Sequence, residues 1–231
     1  MQNTRMKKII ALITGARGNM GRAIVDRFAA DGYHVIGVDA HADEGSTQLE
    51  SHALDLMNED AASAFVQSVI VKHERINVAV LTVGGFALGS IAETKTSDIA
   101  QQYKLNFETL YNVARPVFLQ MLKQGYGRLF LVGARPALTA AGSRGMVAYG
   151  LAKSLVFRVA ELMNDEAKGT KVAVSVIVPS IIDTPQNRTA MPDADFSKWV
   201  TPKQIADVVA FHASETASAL RESVIKLYGD A

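Results

Sequence analysis

The chain has 231 residues, 48% of them apolar and 20% charged, enough for one soluble α/β domain with a substantial core. Its 24 basic and 23 acidic side chains leave a formal charge of +1 and no basic stripe with interleaved aromatics, so no nucleic-acid partner is expected. Cysteine is absent, which excludes disulfides and thiolate chemistry, and no run approaches the ~18 apolar residues of a membrane span.

The run from Met6 to Ile10 faintly suggests a signal peptide, but it breaks at Thr14 and Gly15 with no cleavage site after it. A buried strand from Lys8 to Ile13 and a cytoplasmic location are expected instead. Then follow a helix from Met20 to Ala30, a second strand from Tyr33 to Val38 and a weak third from Ser51 to Leu54. A helix from Asn58 to about Glu74 leads to a fourth strand, Val78 to Thr82. Next comes a long helix, roughly Ser97 to Lys123, interrupted or kinked near Pro116. Arg128 to Val132 is strand five, and a helix runs from about Gly145 to Ala167. Lys171 to Val178 is strand six, Pro202 to about Ala213 a helix, and Val224 to Tyr228 strand seven. This alternation predicts a single Rossmann-type domain over residues 1–231: a doubly wound parallel sheet of about seven strands with helices on both faces.

Between Pro179 and Val200 lies a connection of about 20 residues with three prolines, three aspartates and the sole tryptophan. Irregular loops longer than about 12–15 residues are uncommon unless functional or disordered. This one leaves the carboxyl edge of a strand, where ligands bind in such sheets, so a substrate lid at about 180–200 is expected.

After the first strand, Gly15, Gly18 and Gly21 fall three apart and open a helix. The first suits a positive φ, the second lets backbone approach a pyrophosphate, and the third permits close helix–sheet packing. Amides at that helix start, around Asn19 and Met20, are positioned for phosphates. Asp39 ends the second strand, where a carboxylate accepts hydrogen bonds from the adenosine ribose and repels a 2′-phosphate. NADH is therefore preferred, with NADPH possible, because Arg17 can turn to a 2′-phosphate, cover the adenine or face solvent. Asp55 and Leu56 are candidates for the adenine, although Asp55 reads equally as a helix cap. Val83, Gly84 and Gly85 follow strand four and would let the cofactor pass close to backbone. No metal is expected.

Tyr149 and Lys153 are four apart on a predicted helix and so share a face. A free tyrosine has a pKa of roughly 10, and a fixed cation beside it lowers that value, making a proton donor or acceptor.

Together these residues resemble the short-chain dehydrogenase/reductase family over essentially the whole chain. Within it, Gly15 to Gly21, Gly84 to Phe86, Gly145 to Lys153 and above all Asp183 to Trp199 are similar to the dihydropteridine reductases. The resemblance implies that Tyr149 donates the proton and that Lys153 binds the nicotinamide ribose and lowers the tyrosine pKa. It also implies that Asn106, which reads otherwise as a poor helix former that caps or kinks, organises a proton-relay water. The same resemblance implies that Thr184 and Pro185 lie beside the nicotinamide carboxamide, with Ile182 offering backbone contacts there, and that Pro179 is among the cofactor-binding residues. One departure is a missing serine: the slot about thirteen residues before the tyrosine falls at Pro136, and only an inserted turn would bring Ser143 or Thr139 there.

The function expected is hydride transfer from NAD(P)H to an electron-poor ring or carbonyl of a small molecule. A 3-oxoacyl thioester or small-ketone reductase is the alternative, and a non-catalytic NADH sensor the reading from another class. Candidate substrate residues are Phe86, Arg135, Tyr149, Arg188, Met191 and Trp199. Phe86 reads equally as packing, Met191 has the same alternative, packing is the favoured reading for Trp199, and Arg188 reads also as solvent-facing. Phe107, Leu110, Val156 and Phe157 give the two long helices more than one apolar face, which predicts self-association, and the resemblance implies a homodimer or homotetramer through those helices.

Overall fold

Seven parallel strands form one sheet in the order β3-β2-β1-β4-β5-β6-β7. The computed structural model describes residues 8–41, 49–141, 143–221 and 223–230. Met6 and Lys7, weighed above as part of a leader, lie outside them. β1 (Ile10–Thr14), β2 (His34–Asp39) and β4 (Val78–Leu81) are continuous apolar runs because helices cover both faces. β5 (Tyr126–Val132) and β6 (Lys171–Pro179) extend the same buried ladder. β3 (Leu49–Ala53) and β7 (Val224–Leu227) are the half-buried edges.

α1 (Asn19–Ala30) and α8 (Pro202–Ala213) pack on one face, where Ile13, Ile24, Phe28, Phe130, Ile205 and Val209 form a buried core. α8 begins at a capping box of Thr201 and Gln204, with Pro202 in the first turn. The opposite face carries α2 (Glu59–His73), α4 (Thr109–Gln124) and α6 (Val147–Glu166), around Leu12, Val66, Leu110, Val117, Leu131 and Val156. Asn58 caps α2, and Glu59, Asp60, Lys72 and His73 match its dipole at the two ends. Because the chain moves from β1 towards β3 and then back to β4, a crevice opens at the carboxyl ends of β1 and β4. Among the described residues no helix is long and apolar enough to cross a membrane.

Two expectations about irregular structure need correction. The long helix is interrupted not at Pro116, which sits inside α4, but at a π turn, Lys104–Glu108, between α3 (Thr96–Tyr103) and α4. There the Thr109 N–H bonds Lys104 O, five residues back. Such turns cluster at functional sites, and this one carries Asn106.

The 180–200 connection is also more regular than expected. It holds α7 (Pro185–Ala190), capped by Thr184, and a short turn at Phe196–Lys198. Its two ends are tied by the Asp183 N–H to Val200 O (2.8 Å) and the Val200 N–H to Ile181 O (3.0 Å). A four-residue helix, α5 (Arg135–Leu138), completes the set.

Candidate active site

The glycine-rich turn is held by its own backbone. Gly15 takes φ +67°, its N–H bonds Val38 O at 2.7 Å, and its carbonyl accepts the Gly18 N–H at 3.0 Å. A Cβ on Gly21 would collide with Gly15 O, so α1 packs against the turn only because this residue has no side chain. Gly21→Ala should therefore lower stability by about 1–3 kcal/mol in denaturant unfolding. An unchanged midpoint would contradict this packing. No side chain caps α1, so the first-turn amides of Asn19, Met20 and Gly21 open along the helix axis into the crevice. An uncapped helix start behind a glycine turn fits a dinucleotide pyrophosphate. Asp39 lies beside it, with Oδ2 accepting the Arg17 N–H at 3.0 Å, while Arg17 Nη1 reaches His41 O at 3.3 Å. Asn19 Nδ2 bonds Gln186 Oε1 at 2.9 Å, linking the turn to α7.

Tyr149 and Lys153 lie one turn apart on α6, both turned inward. Lys153 is only 4% exposed, and its Nζ donates to Val132 O at the end of β5 at 2.8 Å. An atom added to Gly84, just beyond β4, would lie 2.6 Å from Asn106 Oδ1 and 3.1 Å from Lys153 Nζ. Asn106, Lys153 and the Gly84 backbone thus converge at the carboxyl edge, with Tyr149 one turn before Lys153 on α6. Phe86 is 59% exposed, and its ring meets the Tyr149 ring edge-on, with centroids 5.1 Å apart at 80°.

The electrostatics differ from the expectation. Burial raises the Tyr149 pKa to about 12 and lowers that of Lys153 to about 8. In the protein alone the lysine spends its hydrogen bond on Val132 O, and desolvation of the phenol dominates. Tyr149 is accordingly a phenol at neutral pH, the form a proton donor needs.

Asn106 is fully buried and clamps Gly85 through both amide atoms: Oδ1 accepts the Gly85 N–H at 3.1 Å and Nδ2 donates to Gly85 O at 2.9 Å. Its side chain is thereby committed to shaping the backbone after β4. Sequence reasoning missed Gln102, also buried, whose Oε1 accepts Asn106 Nδ2 at 2.9 Å. The four-residue spacing was the available signal.

Several candidates have other partners. Arg188 forms a two-pronged pair with Asp183 (2.6 and 2.8 Å) and stacks on Phe196, so it braces the 180–200 segment instead of offering a free cation. Trp199 is 6% exposed and packs on Phe196, as core rather than substrate wall. Arg135 lies over the Tyr228 ring, 5.0 Å from its centroid. Met191 ends α7 and is partly buried.

Leu56 is buried in the core with its carbonyl bonded by Asn112 Nδ2 at 2.9 Å, so it does not present an open face to an adenine. Asp55 Oδ1 accepts the Met57 N–H at 2.9 Å, and Asn58 is the α2 cap. Thr184 Oγ1 caps α7, Ile182 O accepts Asn187 Nδ2, and Pro179 is the buried end of β6. Val83 packs against the core beside Gly84. Pro136 is the second residue of α5. Ser143 Oγ lies 3.0 Å from Pro136 O and 2.7 Å from Thr139 O, bonded to backbone carbonyls.

Comparison with protein families matches residues 9–195 to the short chain dehydrogenase family. The 3-oxoacyl-[acyl-carrier-protein] reductase FabG of Thermotoga maritima is 25% identical, covering 97% of this chain and 98% of its own. The acetoacetyl-CoA reductase of an Acinetobacter species is 25% identical over 95% of this chain and 96% of its own. A solved structure titled ElxO with NADP bound superposes with a TM-score of 0.84 at 20% identity, covering 96% of this chain and 98% of that one.

Proposed function

We propose that this chain, which belongs to the short chain dehydrogenase family, reduces the carbonyl of a 3-oxoacyl thioester or similar small ketone at the expense of NADH. It is an oxidoreductase using a nicotinamide dinucleotide and a small-molecule substrate. The observation that carries the reading is the meeting of Lys153 and Asn106 at the Gly84–Gly85 backbone, with Tyr149 one turn before Lys153 on α6 and its ring against Phe86. The bound dinucleotide would supply the hydride. Gly15, Gly18 and the α1 amides would hold its phosphates, Asp39 the adenosine ribose and Lys153 the second ribose. Ile182, Thr184 and Pro179 would line the nicotinamide side, with the braced 180–200 segment as a lid. Tyr149 would pass its phenolic proton to the carbonyl oxygen as negative charge develops there. The Lys153 ammonium would then stabilise the phenolate left behind.

The thioester class is favoured by the names of the relatives. A flat, electron-poor ring of the pterin type is the second reading. The exposed Phe86 ring against Tyr149 favours it, as does the absence of a serine at Pro136. The test is oxidation of NADH and NADPH, in parallel, with an acetoacetyl thioester and a quinonoid dihydropterin. Faster turnover of the thioester with NADH is expected. Turnover of the pterin alone would replace the first reading with the second, and cofactor binding without oxidation by any acceptor would favour a sensor.

The family is typically oligomeric, and a homodimer or homotetramer is proposed through the continuous run from α3 to α4 and through α6. Leu110 and Val156 are core, so they do not supply its surface. The exposed residues are Tyr103, Tyr111 and Leu119 on one side and Leu151, Leu155 and Leu162 on the other. Tyr103, Phe107 and Tyr111 form a ladder of neighbouring rings at 5.5 and 5.8 Å.

A further inference from the structure

Away from the carboxyl-edge crevice, three imidazoles and an amine surround a single carboxylate. Glu50 and His52 lie on the edge strand β3, where Glu50 stands opposite Ile36 and His52 opposite Val38 of β2. His34 opens β2, and Lys72 and His73 end α2, which covers this face of the sheet. His34 Nε2 lies 2.9 Å from Glu50 Oε2, and His73 Nε2 lies 3.4 Å from the same oxygen. The other oxygen, Oε1, meets Lys72 Nζ at 2.8 Å and His52 Nε2 at 3.1 Å.

One atom of this cluster is unsatisfied. His73 Nε2 is buried and has no hydrogen-bond partner among the described residues. Its side chain is 12% exposed, so water has little access to that nitrogen. With the proton on Nδ1, the Nε2 lone pair faces the lone pairs of Oε2 at 3.4 Å. Such an arrangement is repulsive unless a cation lies between them.

The spacing suits a metal. His34 Nε2, His73 Nε2 and a Glu50 oxygen all lie within 4.8 Å of one another. Ligands held about 2.0–2.2 Å from a tetrahedral zinc sit roughly 3.3–3.6 Å apart. Two imidazoles and one carboxylate form a borderline donor set that suits zinc, nickel or copper better than magnesium or calcium. Lys72 and His52, both on Oε1, leave Oε2 aimed at the other two rings and orient the carboxylate as outer partners do. Partial exposure of His34 and His52 leaves the cluster within reach of a solvent ion.

The geometry points to a binding site for one divalent transition-metal ion of the zinc type, held by His34, Glu50 and His73. It ties the edge strand β3 to β2 and to the end of α2. The site is separate from Tyr149 and Lys153, so its role is to fasten the sheet's edge, and its test does not depend on which substrate the enzyme reduces.

The test starts from chelator-treated full-length protein titrated with Co²⁺ and Zn²⁺. The expected result is one ion per chain, with an intense visible Co²⁺ spectrum of low coordination number instead of the weak spectrum of the hydrated ion. Zinc at about a hundredfold excess over Kd should raise Tm by about 5–10 °C. His73→Gln and Glu50→Gln should each weaken binding at least about tenfold, while His212→Gln, remote from the cluster, should leave it unchanged. Circular dichroism of the metal-free variants separates lost ligation from lost folding, and if a variant unfolds, the wild-type Co²⁺ spectrum decides. A hydrated-ion spectrum, unchanged Tm, or equal affinity in His73→Gln and His212→Gln would overturn the site.

Discussion

Tyr149→Phe should cut turnover by about 10²–10⁴, the usual contribution of a positioned proton donor, while NADH affinity stays within a few-fold. The ring is retained, and with it the edge contact to Phe86 at 5.1 Å, so a change in packing is not expected to account for the loss. Burial holds the phenol near pKa 12 in the protein alone, which keeps the proton on the oxygen until charge develops on a substrate. The phenolate then formed would be costly in so dry a site unless Lys153 faced it. Steady-state turnover together with NADH fluorescence titration separates the two effects. Full turnover in the phenylalanine variant would remove the tyrosine from the chemistry, and a parallel loss of NADH binding would make its role structural.

The sheet was legible because each buried strand is a short, unbroken apolar run between helical periods, and that pattern has few alternatives in a parallel sheet. The glycine turn was legible for the same kind of reason. At Gly15 a positive φ and at Gly21 the close approach of Gly15 O disfavour a side chain, so the restriction is written in the sequence. The π turn at Lys104–Glu108 was not legible, since Pro116 is the more conspicuous helix breaker and nothing in the residue pattern marks an extra residue in one hydrogen-bonded turn.

Side-chain partners were harder still. Arg188 and Trp199 suggested substrate contacts because a charge and an indole in a long loop invite that reading. Their partners, Asp183 and Phe196, lie within five and three residues, and local bracing satisfied both. The cluster around Glu50 was least visible: His34, Glu50 and His73 come from three elements and show no ligand spacing along the chain.

Lys153→Met should abolish most turnover while raising stability at neutral pH, a combination that separates function from folding. The amine is buried, and burial lowers its pKa from 10.5 to about 8, so keeping it charged at pH 7 costs about 3 kcal/mol at roughly 1.4 kcal/mol per pKa unit. Methionine removes that cost at similar volume but leaves Val132 O without its donor, a loss of about 1–3 kcal/mol. A net gain of about 1 kcal/mol at pH 7 is expected. The pH dependence is the sharper readout. Between about pH 8 and 10.5 the unfolded chain holds a proton that the folded lysine has released, so wild-type stability rises with pH in that window. From pH 7 to 9.5, below the range where ionising Tyr149 opposes folding, the wild type should gain about 2 kcal/mol relative to the methionine variant. Denaturant midpoints at the two pH values measure this difference. Turnover should fall at least about 10², because no cation remains to stabilise the phenolate. Parallel stability curves for the two proteins would mean that the amine is not buried as described, and retained turnover would mean that it does not face the phenol.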